Sequence, residues 1–102
     1  MSDLHKIYCR GRKWWNAQRE VWSRPGSLCG RCGEYVDQAK YNDKNSPDYN
    51  PNHPRSRSVG HIIDLQFGGA PYDPANLQLE HRRCNSKAGR ESQAEAWSSR
   101  EW

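Results

Sequence analysis

The chain has 102 residues, with 16 Lys and Arg against 12 Asp and Glu and a pI near 9.0. Only 33% of the residues are hydrophobic and the mean hydropathy is -1.23, so the apolar core is expected to be small. The fold therefore needs another source of stability, such as a bound metal or a disulfide. No run approaches the roughly 20 apolar residues of a membrane span, and the first residues lack an apolar signal region. We therefore expect neither a membrane protein nor a secreted one. Five Trp and five Tyr argue against full disorder.

The first 28 residues predict one basic amphipathic helix. Apolar side chains recur at three-and-four spacing from Leu4 to Trp22, and basic residues such as Lys13 lie on the opposite side. The sequence Arg24-Pro25-Gly26 is a helix-ending signal. Most of the Trp residues on the apolar side are predicted to be core rather than a platform for stacking bases.

Beyond this helix the sequence predicts a loop, a strand pair and a second helix. Residues 37–58 are rich in Asn, Asp, Pro and Ser, which indicates loop. A β-branched run at 58–65 and a return segment at 73–79 predict two strands around a glycine turn. Residues 80–90 are predicted to be helical, and residues 91–102 to form a short helix and tail. Helices that flank a strand pair predict an α+β fold.

Two pairs of side chains predict a structural zinc site. Cys29 and Cys32 are separated by two residues on a glycine-containing knuckle, and His81 and Cys84 have the spacing of one helical turn. Zinc held by all four would tie distant parts of the chain together, and such sites contribute about 10–16 kcal/mol of apparent binding energy in small zinc-finger peptides. The alternatives are a redox pair of Cys29 and Cys32, or disulfides in an oxidising compartment. Cys9 is interpreted as a small packed side chain.

These pairs belong to an ordered set of motifs that resembles the HNH endonuclease family. The set covers residues 29–89: the Cys-Gly-Arg-Cys knuckle, Val59-Gly60-His61-Ile62-Ile63, Gly68-Gly69, Asn76-Leu77-Gln78-Leu79 and His81-x-x-Cys84-Asn85-x-Lys87-x-Gly89. The resemblance implies a ββα-metal finger over residues 29–90, in which two antiparallel strands and a helix surround a catalytic divalent ion. It also implies cleavage of phosphodiester bonds.

The resemblance assigns catalytic roles position by position. His61 corresponds to the general base of the family, Asn76 to its middle Asn, and Asn85 to the residue that binds the catalytic metal. An imidazole with an unperturbed pKa of about 6.5 can take a proton from water near neutral pH. The carbonyl oxygen of Asn85 suits a hard cation such as Mg²⁺ or Mn²⁺. Asn76 has no useful pKa, so we expect it to hydrogen bond the loop that orients His61.

The sequence departs from the family pattern at two positions. Gly60 stands where many relatives carry an Asp that is the second ligand of the catalytic metal. The candidate replacements are Asp64 and Asp37, with His53 as a poorer third choice, although either Asp could equally cap a turn. His81 stands where many relatives have Cys; if it faced the catalytic ion instead, the zinc would keep three ligands.

The sequence therefore predicts a metal-dependent HNH nuclease that cuts DNA with little sequence preference. Predicted phosphate contacts are Lys13, Arg82, Arg83, Lys87 and Arg90. Two alternatives stay open: a catalytically silent, zinc-stabilised DNA-binding module, favoured by Gly60, and an adaptor that docks on a larger DNA-processing enzyme. Small relatives occur in phages and bacteria, some of them beside a packaging terminase, so the resemblance implies the cytoplasm of a bacterium or of an infected host.

Overall fold

The structure, a computed structural model, describes residues 3–90, in which helices surround one strand pair. The predicted helix and tail over 91–102 lie outside this range. The elements in chain order are α1 (Asp3–Tyr8), α2 (Gly11–Trp22), α3 (Gln38–Asn42), β1 (Arg57–His61), β2 (Leu77–His81) and α4 over residues 82–90. Short 3₁₀ turns at Leu65–Phe67 and Pro74–Asn76 lie between the strands. The α+β class is thus confirmed, and none of the described helices is long and apolar enough to cross a membrane.

The amino-terminal segment is two helices, so the prediction of a single helix is wrong. The break falls between Tyr8 and Gly11, where Arg10 is extended and Gly11 has a φ of 82°. Glycine adopts this left-handed conformation without steric cost, whereas the conformation itself interrupts a right-handed helix. The second helix ends at Trp22, just before the predicted Arg24-Pro25-Gly26 signal.

The two strands form an antiparallel sheet whose bounds differ from the prediction. Pairing aligns Ser58 with Glu80 and His61 with Leu77. The first strand stops at His61, because Asp64 caps the 3₁₀ turn that follows. The second strand lies at 77–81 rather than 73–79. His81 is consequently the last residue of β2. The prediction that it belongs to a helix, made from its spacing to Cys84, is wrong.

The two faces of the sheet meet different parts of the chain. Val59, Leu77 and Leu79 form the core with Val21 of α2 and with Val36. Because side chains alternate along a strand, the other face carries Ser58, Gly60, Gln78 and Glu80. Since β2 pairs only with β1 in this two-stranded sheet, one edge of β1 is left for other elements to border.

The Asn- and Pro-rich segment is mostly loop, with one short helix. Helix α3 begins after Asp37, whose side chain accepts a hydrogen bond from the backbone N–H of Lys40 at 3.0 Å. His53 stacks on Tyr41 with ring centroids 4.1 Å apart. The capping role that the sequence left open for Asp37 is the one the structure shows.

Candidate metal centre and catalytic cavity

The four predicted zinc ligands converge on one point. One ligand atom from each of Cys29, Cys32, His81 and Cys84 lies within 4.8 Å of the others. The Nδ1 atom of His81 is 3.4 Å from the Cys32 sulfur and 3.9 Å from the Cys84 sulfur. Three thiols and one imidazole at these separations fit a tetrahedral zinc ion. The alternative in which His81 faces a second, catalytic ion is wrong, because its Nδ1 atom points at the thiols.

Hydrogen bonds from the backbone prepare this cluster for a metal. The Nε2–H group of His81 donates to the carbonyl of Tyr35 at 3.0 Å, which leaves Nδ1 as the coordinating atom. The sulfur of Cys29 accepts backbone N–H bonds from Arg31 and His81, each at 3.4 Å. Such a shell fixes the orientation of ligands before any ion arrives.

The thiols of the cluster differ in acidity. Burial raises the pKa of Cys29, but the hydrogen bonds that its sulfur accepts outweigh burial and lower it to about 7. Burial and the neighbouring thiols Cys29 and Cys32 raise the pKa of Cys84 to about 11. Of these two thiols, Cys29 is the closer to its metal-binding thiolate form near neutral pH.

A cavity of about 270 Å³ lies along the free edge of β1, between α2 and α4. It brings together two of the predicted catalytic side chains, His61 and Asn85, and the candidate metal ligand Asp64. The remaining lining residues are Cys9, Trp14, Gln18, Arg31, Ser58, Val59, Ala88 and Gly89. A larger and more open depression of about 530 Å³ beside α2 has no His, Cys or Asp in its lining. The cavity at His61 is thus lined by an imidazole, a carboxylate and a thiol, whereas Glu20 is the acidic residue in the lining of the larger depression.

His61 is held in a defined orientation and tautomer. Its side chain is only 6% exposed, and its Nε2–H group donates to the carbonyl of Pro71 at 3.1 Å. This bond leaves the lone pair of the ring on Nδ1. The indole of Trp14 stacks on the imidazole with centroids 5.4 Å apart and an interplanar angle of 15°. These two contacts fix the orientation of the ring.

Asn85 projects from α4 towards β1. Its Nδ2 atom donates to the hydroxyl of Ser58 at 2.8 Å and to the carbonyl of Val59 at 3.4 Å. Both bonds use the amide nitrogen, so they leave the carbonyl oxygen Oδ1 as the acceptor atom. That oxygen is the one a hard cation would take.

Asn76 forms a clamp on the loop that follows His61. Its Oδ1 atom accepts from the Ile63 N–H at 2.8 Å, and its Nδ2 atom donates to the carbonyls of Ile63 and Ala70 at 3.0 and 2.9 Å. The loop contacts expected of Asn76 are therefore present. Because Pro71, the partner of His61, directly follows Ala70, this clamp also positions the carbonyl that fixes the imidazole.

The other proposed metal ligands have different placements. Asp64 lines the cavity, and its carboxylate also accepts from the Gln66 N–H at 3.2 Å. Asp37 and His53 are not among the residues that line it. The structure thus brings Asp64 to the cavity and gives Asp37 a capping role.

The sequence interpretation missed Arg31, which lines the cavity, and Glu80, which does not line it but holds Arg31 in place. Arg31 lines the cavity, and its Nε–H group bonds to a carboxylate oxygen of Glu80 at 2.9 Å. Its Nη2 atom donates to the carbonyl of His61 at 3.2 Å. In the sequence, Arg31 lies between two of the predicted zinc ligands and Glu80 directly precedes a third. This closeness to the zinc motif was the only sequence signal for either residue. Their pairing is tertiary, since 49 positions separate them along the chain.

The basic side chains that were predicted to contact phosphate lie on the surface of α2 and α4. Lys13 on α2 and Arg82, Lys87 and Arg90 on α4 are exposed, as predicted for phosphate contacts. The fifth, Arg83, is exposed too and pairs with Glu34 at 3.7 Å. Ion pairs of this kind at the surface are weak, so the guanidinium can exchange its partner for a phosphate.

The thiol outside the zinc cluster, Cys9, lies in the lining of the cavity. Burial, and secondarily the negative charge of Asp64, raise its pKa to about 11. A thiol that stays protonated near neutral pH is a poor nucleophile, which agrees with its interpretation as a packed side chain.

Comparisons with known proteins do not add to this description: no protein-family model matches the chain, and no match is found among curated proteins or among solved structures.

Proposed function

We propose that the protein is a metal-dependent endonuclease of the HNH type, which hydrolyses phosphodiester bonds of DNA with little sequence preference. The observation that carries the proposal is the cavity that the buried imidazole of His61 lines together with Asn85 and Asp64, and whose lining also includes Arg31 from between two residues of the metal cluster. The two strands and α4 then correspond to a ββα-metal finger. The order of motifs along the chain supports the same conclusion.

The residues of the cavity can perform the steps of hydrolysis. Nδ1 of His61 takes a proton from the attacking water, while Trp14 and the Pro71 carbonyl hold the ring still. The guanidinium of Arg31, which lines the cavity, would neutralise negative charge that develops on the phosphate. A divalent ion, Mg²⁺ or Mn²⁺, when bound supplies Lewis-acid stabilisation of the leaving oxygen. Asn85 would hold that ion through Oδ1.

Structural zinc is assigned to Cys29, Cys32, His81 and Cys84. It would tie the knuckle to the end of β2 and the start of α4, and so substitute for an extensive apolar core. Arg31 lies within the knuckle, so the same ion also fixes the backbone from which the guanidinium reaches the cavity.

The substrate is assigned from charge. Exposed Lys and Arg side chains on α2 and α4 suit a phosphate backbone, and contacts of this kind position DNA without reading its bases. A packaging terminase or another DNA-processing enzyme is the protein partner that the HNH resemblance suggests, in the cytoplasm of a bacterium or of a phage-infected host.

The test is nicking of supercoiled plasmid by zinc-loaded protein, with Mg²⁺, with Mn²⁺ and with neither. We expect nicking that requires the added ion and that falls by at least about 100-fold in His61→Ala, since general bases typically contribute 10²–10⁴-fold. His53→Ala is the matched control, because His53 lies outside the cavity, and its activity should be retained. Nicking by His61→Ala at the wild-type rate would refute the assignment of the base.

A second candidate is favoured by Gly60, which removes the carboxylate expected next to the base. In that case the protein is a catalytically silent DNA-binding module. It would bind plasmid with salt-sensitive affinity and leave the DNA intact under every metal condition, which the same experiment detects.

A further inference from the structure

We propose that Glu80 is a carboxylate ligand of the catalytic divalent ion and replaces, from the neighbouring strand, the side chain that position 60 lacks. This inference rests on the proposed function, since it assigns a residue to the ion that the nuclease requires. It differs from the sequence interpretation, which sought the missing carboxylate at Asp64 or Asp37.

The first observation is the close approach of Glu80 to Gly60. A Cβ atom at position 60 would overlap Oε2, Oε1 and Cδ of the Glu80 carboxyl group. Glu80 pairs with Ser58, two residues before Gly60, so the two positions are diagonal neighbours on one face of the sheet. The carboxylate thus lies across β1, over the space that an Asp side chain at position 60 would fill.

The second observation is an unsatisfied buried oxygen. Glu80 is completely buried, and its Oε2 atom accepts hydrogen bonds from Arg31 at 2.9 Å and from Gln78 at 2.8 Å. The other oxygen, Oε1, is also buried, and within residues 3–90 it has no hydrogen-bond partner. A buried carboxylate oxygen without a partner is costly, and coordination of a cation removes the cost. Oε1 is therefore the atom assigned to the ion.

The third observation is a second oxygen donor on the same face of the sheet. Asn85 donates to the hydroxyl of Ser58, the residue that pairs with Glu80. The Oδ1 atom of Asn85 and the Oε1 atom of Glu80 thus come from side chains that flank the same residue of β1. Carboxylate and amide oxygens, together with waters, are the ligand set that Mg²⁺ and Mn²⁺ prefer.

Arg31 shares the carboxylate with the ion. Arg31 lines the cavity, and its guanidinium donates to Oε2 of Glu80, as the amide of Gln78 also does. The ion would coordinate Oε1, so each oxygen of the Glu80 carboxylate contacts one positively charged group. The arrangement would bring two positive charges, one fixed and one exchangeable, to the carboxylate of Glu80, next to the Arg31 side of the cavity.

The test measures Mn²⁺ binding by zinc-loaded protein, from the free-ion signal in electron paramagnetic resonance. We expect Glu80→Gln to weaken Mn²⁺ binding by about tenfold or more, while zinc content stays at one per chain. Glu34→Gln is the matched control, because the side chain of Glu34 is exposed and pairs with Arg55 and Arg83, and the Mn²⁺ affinity of this variant should equal that of the wild type. Asp64→Asn is the competitor: a larger loss there than in Glu80→Gln would overturn the assignment.

The second variant moves the carboxylate from position 80 on β2 to position 60 on β1. The double substitution of Gly60→Asp with Glu80→Ala removes the atoms that an added side chain would meet and supplies a carboxylate from β1. It should bind Mn²⁺ within a few-fold of the wild type, and a folded, zinc-loaded double variant without Mn²⁺ binding contradicts the proposal.

Anomalous diffraction from Mn²⁺-soaked wild-type crystals decides the question whether or not the variants fold. Manganese within about 2.0–2.5 Å of the Glu80 carboxylate supports the assignment, and its absence there overturns it. The two proposals fail separately: Mn²⁺ on Glu80 without plasmid nicking refutes the nuclease alone, and nicking with Mn²⁺ bound elsewhere refutes the role of Glu80 alone.

Discussion

Gly60 lies beneath the carboxylate of Glu80, close enough that the smallest side chain would collide with it. The carboxylate is the far end of a flexible side chain, but it is fully buried and held by Arg31 and Gln78. It has little freedom to move aside. A glycine in the middle of a strand, normally a weakness, is here a packing requirement.

The first prediction concerns this contact. Gly60→Ala should lower the free energy of unfolding by about 1–3 kcal/mol, the usual cost of overpacking a buried site. Gly89→Ala is the matched control, because Gly89 lies in α4 with nothing within 4 Å of an added Cβ, and alanine there should stabilise by about 0.5–1 kcal/mol. Urea denaturation of both zinc-loaded variants provides the values. Equal effects of the two substitutions would contradict the packing argument.

The second prediction concerns the metal cluster. Cys32→Ser should abolish stoichiometric zinc binding and the cooperative thermal transition, because the small core needs the ion as a staple. Cys9→Ser should keep one zinc per chain, since Cys9 lies outside the cluster. Elemental analysis and near-ultraviolet circular dichroism measure the two properties. Full zinc occupancy in Cys32→Ser would remove that thiol from the ligand set.

The third prediction concerns the Asn76 clamp. Asn76→Ala removes three hydrogen bonds and should destabilise the protein by about 2–4 kcal/mol, at about 1 kcal/mol for each bond. Asn76→Asp should be at least as harmful, because a carboxylate oxygen would face the carbonyls of Ile63 and Ala70. Chemical denaturation tests the order of the two variants. An aspartate variant as stable as the wild type would show that these carbonyl contacts contribute little.

The fourth prediction concerns pH. The pKa of Cys9 is about 11 in the folded protein, against an ordinary value of 9.0, so the unfolded chain loses this proton first as the pH rises. The stability that the protonated thiol contributes is complete below pH 9 and is lost between pH 9 and about 11. Over that interval Cys9→Ser should lose less stability than the wild type, as measured by urea denaturation at each pH. Parallel losses in both proteins would exclude Cys9 as a cause.

The zinc ligands could be predicted from sequence because each pair is local. In each pair, two residues separate the ligands. This spacing brings Cys29 and Cys32 together in a tight turn, and it brings His81 and Cys84 together across the boundary between β2 and α4. The prediction used the spacing of one helical turn for His81 and Cys84. It survived the wrong assignment of His81 to a helix because β2 ends at His81 and α4 begins at the next residue, so the two side chains still come together.

The interior of the candidate site could not be predicted in the same way. A glutamate such as Glu80 is normally a surface residue, and only its pairing with a distant arginine makes complete burial tolerable. The break between α1 and α2 was also missed, because the apolar periodicity continues through it and Gly11 is compatible with a helix. Both misses reflect information that lies in tertiary contacts or backbone angles rather than in a periodic pattern.

The last two residues of β2 point to opposite sides of the sheet: Glu80 reaches over Gly60, and His81 reaches the cysteine sulfurs. A slip of one residue in strand pairing would exchange them, with a carboxylate placed among thiols and an imidazole buried against a guanidinium. Neither exchange would be tolerated. The strand pair therefore has a single acceptable register, enforced by the chemistry of two adjacent side chains more than by the two-residue periodicity of its short apolar pattern.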